Sequence, residues 1–381
     1  MKKVLQENKE LILGVWDKIE KKVSITSDKI KDGMPYTTKN GEYDDWQDQS
    51  SWWTNTFWTG ILWHMYKETK VEKYKEYAQS IEEKMDEVLY NYDELHHDVG
   101  FMWLLSSVMN HEITGNESSR KRAMIAANVL AARGNLAGGF IRAWNGDDNA
   151  GWAIIDSMMN IPLLYWASEQ SKDQRFTHVG VMHANKTMKE FVREDGSVNH
   201  IVIFDEHTGE VLEIPRGQGY ETGSSWSRGQ SWAVYGFAQS YNWTKKPEYL
   251  STAKKVAHYA IACLAQNEYV PLCDYRQPVE SNLLDSSAGA ITACGLIEIA
   301  KVVPEVEKAF YLKSAINILR SLDEKCAIWD ESNESILTNG TSAFHSGGYD
   351  KASVENGALI YGDFYFVEAI CKLKELLKYY I

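Results

Sequence analysis

Two aspartates stand where apolar helical runs begin. Asp98 lies in His96-His97-Asp98-Val99-Gly100-Phe101, and Asp156 in Trp152-Ala153-Ile154-Ile155-Asp156-Ser157-Met158-Met159-Asn160. An ionised carboxylate among Trp, Phe and Met loses hydration worth several kcal/mol unless a partner replaces it. The apolar neighbours of Asp156 disfavour its charged form, so a proton is expected to stay available near neutral pH for general acid/base work. A second reading is purely local: each aspartate is an N-cap, satisfying the free N–H groups and the dipole of a first helical turn. Residue types alone leave both readings open. A metal site at His96, His97 and Asp98 is not expected, because adjacent side chains diverge and no second cluster has ligand spacing.

The stretch Arg216-Gly217-Gln218-Gly219-Tyr220-Glu221-Thr222-Gly223-Ser224-Ser225-Trp226-Ser227-Arg228-Gly229-Gln230 combines glycines, which allow close approach, with Arg and Gln donors and a Trp stacking face. It lacks the Gly-Lys-Ser/Thr ending of a phosphate loop. A structural loop is the alternative.

These residues need a scaffold, and helical periodicity supplies it. Apolar-periodic segments fall at roughly 2–23, 55–69, 72–90, 98–114, 117–133, 152–170, 174–192, 228–243, 247–265, 285–302, 305–323 and 358–379. They alternate between runs rich in small and aromatic residues, such as Ser231-Trp232-Ala233-Val234-Tyr235-Gly236, and amphipathic ones, such as Tyr74-Lys75-Glu76-Tyr77-Ala78. A helix apolar all round must be enclosed, and an amphipathic one covers it. About six alternations predict an all-α, double-layered helical barrel spanning 1–381 as one domain, with an open solenoid as the rival. Residues 196–215 predict a β-hairpin, and 335–357 read as a long irregular loop of the kind that carries function. The inner helices are expected to aim Asp98, Asp156, Arg228 and Asp285 at one mouth.

Composition narrows the function. A net charge of −13 over 381 residues, with no dense Lys/Arg run, excludes nucleic acid as the expected partner. Fourteen tryptophans suit stacking on flat ligands such as sugar rings. Five scattered cysteines without a CxxC, a start lacking an apolar signal core and no membrane-length apolar run predict a soluble cytoplasmic protein without a membrane partner. Oligomeric state is not encoded in any of these features.

The ordered motifs His96–Phe101, Gly139-Phe140-Ile141-Arg142-Ala143-Trp144, Ile154–Leu164, Trp226–Trp232 and Asp285-Ser286-Ser287-Ala288-Gly289 resemble the unsaturated glucuronyl hydrolases of glycoside hydrolase family 88, from about Trp53 to Glu368. The resemblance implies an (α/α)6 barrel with Asp156 as general acid/base and Asp98 as the second essential carboxylate. It implies that Trp53 and Trp144 stack on sugars and that His200, Gln218, Arg228 and Trp232 surround an unsaturated uronate. The implied substrate is a small anionic unsaturated oligosaccharide released by a polysaccharide lyase from chondroitin, hyaluronan or a related glycosaminoglycan, and no cofactor is implied. Relatives acting on sulfated fragments are expected to carry Ser-x-x-Ser-x-Lys in the last long loop. Here Ser346-Gly347-Gly348-Tyr349-Asp350-Lys351 puts Tyr in place of the second serine, which leaves Ser346 and Lys351 as the implied sulfate contacts. A rhamnogalacturonyl hydrolase, an inverting glycosidase and a non-catalytic sugar binder are the competing readings.

Overall fold

In the helix Lys9–Ile30 the buried residues Ile12, Val15, Trp16, Ile19 and Val23 recur every three or four positions, so one face is covered and the other wet. In Ser286–Val302 every residue from Ser286 to Ala300 is buried. The computed structural model, which describes residues 1–345 and 355–381, alternates these two kinds along the chain. The first half runs α1 (Lys9–Ile30), α2 (Phe57–Thr69), α3 (Glu72–Lys84), α4 (opening at Val99–Trp103), α5 (Glu117–Ala132) and α6 (Pro162–Ser171). The second runs α7 (Gln174–Glu190), α8 (Ser227–Thr244), α9 (Pro247–Gln266), α10 (Ser286–Val302), α11 (Glu305–Lys325) and α12 (Ile360–Tyr380).

Even-numbered helices form the inner layer. Each packs on its neighbours round a ring that closes where α12 meets α2, and α1 covers α12 from outside. The expected barrel is therefore closed, and the open solenoid is excluded by that α12–α2 contact.

Two inner segments depart from the plain helices that periodicity predicts. The segment 152–170 starts as a strand, because Trp152, Ala153 and Ile154 pair antiparallel with Ile203, Val202 and Ile201. A short helix Ser157–Asn160 follows, and Pro162 restarts the chain as α6 at a position that needs no N–H. The segment 98–114 is interrupted by a π turn at Leu104–Val108. Buried Glu82 sits beside that turn and accepts hydrogen bonds from Ser107, Asn110 and Ser119. The predicted hairpin is present as Ile201–Phe204 and Val211–Glu213, completing a three-stranded sheet with Trp152–Ile154.

One buried side chain ties the last long loop to the barrel. The carboxylate of Asp363 accepts the N–H groups of Ile336 (2.7 Å) and Leu337 (2.8 Å) and the Tyr43 hydroxyl (2.8 Å). Burial pushes it up to about 6 despite those three donors. Among the described residues, no helix is long and apolar enough to cross a membrane.

Candidate active site

The loops at one end of the barrel enclose a cavity of about 950 Å³. Asp98, Asp156, Trp53, Trp144, His200, Gln218 and Arg228, all named from sequence, line it.

Asp98 and Asp156 both occupy N-cap positions, of Val99–Trp103 and of Ser157–Asn160, yet neither side chain accepts a cap hydrogen bond. The local reading of these residues therefore fails. Both carboxylates turn away from their helices and into the cavity. Asn160, one helical turn beyond Asp156, explains how they are held together. Its Nδ2 donates to Asp98 Oδ1 (3.0 Å), while its Oδ1 accepts Phe101 N–H (2.7 Å). A Cβ on Gly100 would lie 2.4 Å from the Asn160 Cα, so only glycine lets the two helix starts approach this closely.

Asp98 is buried at 7 % exposure. Burial, reinforced by the charge of Asp156, pushes its carboxyl up to about 8 against the opposing hydrogen bond from Asn160. At neutral pH this site keeps a proton. The apolar neighbours of Asp156, Ile155 and Met158, face the core at 0 % exposure, while its own side chain stays partly open to the cavity. Burial thus acts strongly on Asp98.

His200 directly precedes the strand Ile201–Phe204. It is buried, its Nδ1 accepts Gln218 N–H (2.9 Å), and its ring lies 4.3 Å from that of Trp226. The accepted hydrogen bond assigns the ring proton to Nε2, which points at Asp156 Oδ1 across 3.5 Å. That oxygen is buried and has no hydrogen-bond partner. Gly217, at φ +64°, lies against the same imidazole; a Cβ there would sit 2.1 Å from Nδ1.

Arg228 is held by protein groups at both terminal nitrogens. Its guanidinium pairs with buried Asp285 and donates to the carbonyls of Thr341 (2.8 Å) and Ser342. Burial opposes its charge, and the Asp285 carboxylate more than offsets this, holding the guanidinium above its ordinary pKa. Gln218 Nε2 donates to the same Ser342 carbonyl (2.8 Å). Both residues therefore pin the last loop over the cavity. Asp285, expected at the mouth, lies behind Arg228 with no exposure and caps α10 through Ser287 N–H.

Trp232 is a correction. At 1 % exposure it does not line the cavity but packs beneath it, 5.2 Å from the Phe101 ring and 5.5 Å from Tyr365. One helical turn into α8, its side chain points into the fully enclosed inner layer. Trp53 packs against Phe57 and Tyr361 and lines the cavity, and Trp144, also lining it, sits beside Trp152. Ser346 and Lys351 lie outside the described residues.

His96, His97 and Asp98 converge despite being adjacent, with ligand atoms all within 4.8 Å of one another. A turn at the start of α4, not a regular element, brings them together, which the divergence argument did not allow for. Burial holds both imidazoles down, His96 to about 4, so both are neutral at pH 7. Sequence reasoning gave no site role to Asn160, His97 or Asp274. The last, fully buried, organises the glycine-rich loop by accepting Ser225 N–H (3.0 Å), Tyr220 N–H (3.1 Å) and the Ser224 hydroxyl (2.6 Å). Asn160 could have been found from its i+4 spacing to Asp156; Asp274 carries no local signal.

The sequence profile described as Glycosyl Hydrolase Family 88 matches residues 26–333. The chain belongs to glycosyl hydrolase family 88. Family 88 membership makes it a glycoside hydrolase, as the paired carboxylates in a sugar-sized cavity suggest. It is 36% identical over 329 residues to the unsaturated glucuronyl hydrolase of Bacillus sp. (strain GL1), covering 84% of this chain and 86% of that one. It is 32% identical over 375 residues to the unsaturated chondroitin disaccharide hydrolase of Streptococcus pyogenes serotype M1, covering 96% and 92%. A variant of the Streptococcus agalactiae unsaturated glucuronyl hydrolase, solved in complex with dGlcA-GalNAc6S, superposes with a TM-score of 0.81 at 30% identity, covering 95% and 90%.

Proposed function

We propose that this family 88 enzyme removes the terminal 4,5-unsaturated uronic acid from lyase-generated glycosaminoglycan disaccharides, with Asp156 as proton donor and Asp98 as its support. The observation that carries the assignment is Asp156 Oδ1: a buried carboxylate oxygen without a hydrogen-bond partner, beside His200, on a residue that lines the cavity. Relatives named for unsaturated glucuronyl and chondroitin disaccharide hydrolysis support the substrate class.

The chemistry follows from the substrate's enol ether. A proton from Asp156 goes to C4 as the C4=C5 π electrons form the new C–H bond, leaving positive charge shared by C5 and the ring oxygen. Ionised Asp156 then takes a proton from a water whose oxygen bonds to C5. The resulting hemiketal opens by breaking the bond between C5 and the ring oxygen. The open sugar's hemiacetal at C1 then releases the rest of the chain. Since no group attacks the anomeric carbon, carboxylate separation does not predict stereochemistry here. Asp98 keeps a proton at neutral pH, which spares the developing cation's neighbour Asp156 from facing a second negative charge. Trp53 and Trp144 offer faces for the sugar rings.

Loss of ultraviolet absorbance at the double bond measures turnover. Unsaturated chondroitin disaccharide is expected to be consumed, and an unsaturated rhamnogalacturonan disaccharide not; the reverse order would replace this reading with the pectin one. Fast cleavage of a saturated glucuronide would sink the hydration mechanism.

A further inference from the structure

Among the described residues, the charged side chains lining the cavity are Asp98, Asp156 and Glu221 against Arg216 and Arg228. The Arg228 charge is already met by Asp285, which lies outside the cavity with no exposure. Among the described residues, the site that receives an anionic sugar is thus left with three carboxyl groups, one of them protonated at neutral pH, and one uncommitted cation, Arg216. An anion entering such a cavity is repelled unless that cation faces it.

Arg216 is exposed at the rim, and its guanidinium enters no hydrogen bond or ion pair among the described residues. Its backbone, in contrast, is fixed at the reacting end. The next residue, Gly217, packs on the His200 imidazole, and Gln218 N–H donates to His200 Nδ1 (2.9 Å). A cationic head without a protein partner among the described residues thus precedes two residues that contact His200.

We infer that Arg216 is the binding residue for the substrate's anionic group, and that Arg228 is a loop anchor. This rests on the substrate class proposed above. Planar guanidinium donors match either planar carboxylate or sulfate oxygens. The group is therefore the uronate carboxylate or a sulfate on the adjoining sugar, and the two sources separate by experiment.

Steady-state kinetics of the wild type, Arg216→Gln and Arg216→Lys would be compared on three unsaturated chondroitin disaccharides: unsulfated, 6-sulfated, and unsulfated with the carboxylate methyl-esterified. Loss of a charge-assisted hydrogen bond predicts KM raised about tenfold or more in Arg216→Gln, with kcat changed far less. Arg216→Lys is expected to recover part of the difference. A rise on both acids but not on the ester assigns the carboxylate; a rise on the 6-sulfated substrate alone assigns the sulfate. KM within about twofold of wild type on all three overturns the inference, as does an equal rise on all three. Failure of the wild type to consume any of them would instead refute the substrate reading.

Discussion

Three aspartates stand at the start of inner helices, and two fates divide them. Asp285 behaves as helix grammar requires: its carboxylate takes the Ser287 N–H (3.2 Å) and hydroxyl (2.5 Å), and its other oxygen pairs with Arg228. Asp98 and Asp156 hold the same position on their own helices but make no cap. Asp156 is followed by serine just as Asp285 is. What differs is what the barrel places opposite. Arg228 meets Asp285 and closes its charge off behind the wall, whereas the other two aspartates have only amide and imidazole neighbours: Asn160 and His97 beside Asp98, and His200 beside Asp156. A satisfied carboxylate builds the loop that covers the cavity; an unsatisfied one is left for the substrate.

That contrast can be broken from either side. The largest effect is expected from Asp156→Asn, which keeps shape but removes the transferable proton. Its kcat/KM on unsaturated chondroitin disaccharide should fall by about 10²–10⁴-fold or more while the melting temperature stays near that of the wild type. Turnover near the wild-type rate would mean that the open carboxylate is not the acid.

Asp285→Ala should show the opposite profile. It strands the buried Arg228 guanidinium, and breaking such a pair costs about 3–5 kcal/mol. Denaturant unfolding should register that loss, and activity should fall with it as the 335–345 segment loses its anchor. Stability within about 1 kcal/mol of wild type would show that Arg228 has relaxed to another partner.

Asp98→Asn sharpens the comparison through pH. A carboxyl held at about 8 in the fold, against about 3.9 when unfolded, binds more protons in the native state across that interval. Wild-type stability therefore falls as pH rises from about 4 through about 8. The asparagine variant lacks this dependence and should melt a few degrees higher than wild type at pH 8 while differing little at pH 4. Parallel melting curves at both pH values would show that Asp98 ionises freely.

The smallest change is expected from Ser287→Ala. It removes one of two local bonds to Asp285 and leaves the Arg228 pair intact, so a loss of about 1 kcal/mol should be seen by chemical denaturation with kcat unchanged. A larger effect would move the cap, rather than the ion pair, to the centre of the loop's stability.

The barrel was legible because its signal is repeated. Each inner run such as Ser286–Val302 is apolar on every side and each outer run such as Lys9–Ile30 on one, and a double layer of helices satisfies both, its closure being decided by the α12–α2 contact. Even the interruptions fell inside predicted segments: strand Trp152–Ile154 reads as helix from its own residues, and becomes a strand only because Ile201–Phe204 lies alongside. The two aspartates, the tryptophan faces and the glycine-rich loop were visible as residue types out of place in their surroundings. Trp232 was not separable from them by type, since enclosure and sugar stacking select the same side chain.

The chain's own residues thus determined the alternation of helices, the family and the candidate acids, since these rest on periodicity and on motifs read along the chain. Tertiary structure alone decided which carboxylate keeps a proton, which arginine is already paired, and which aspartate is a cap. Those outcomes depend on desolvation and on charges met through space, such as Asp285 against Arg228 across 57 positions of sequence, and no local spacing encodes them.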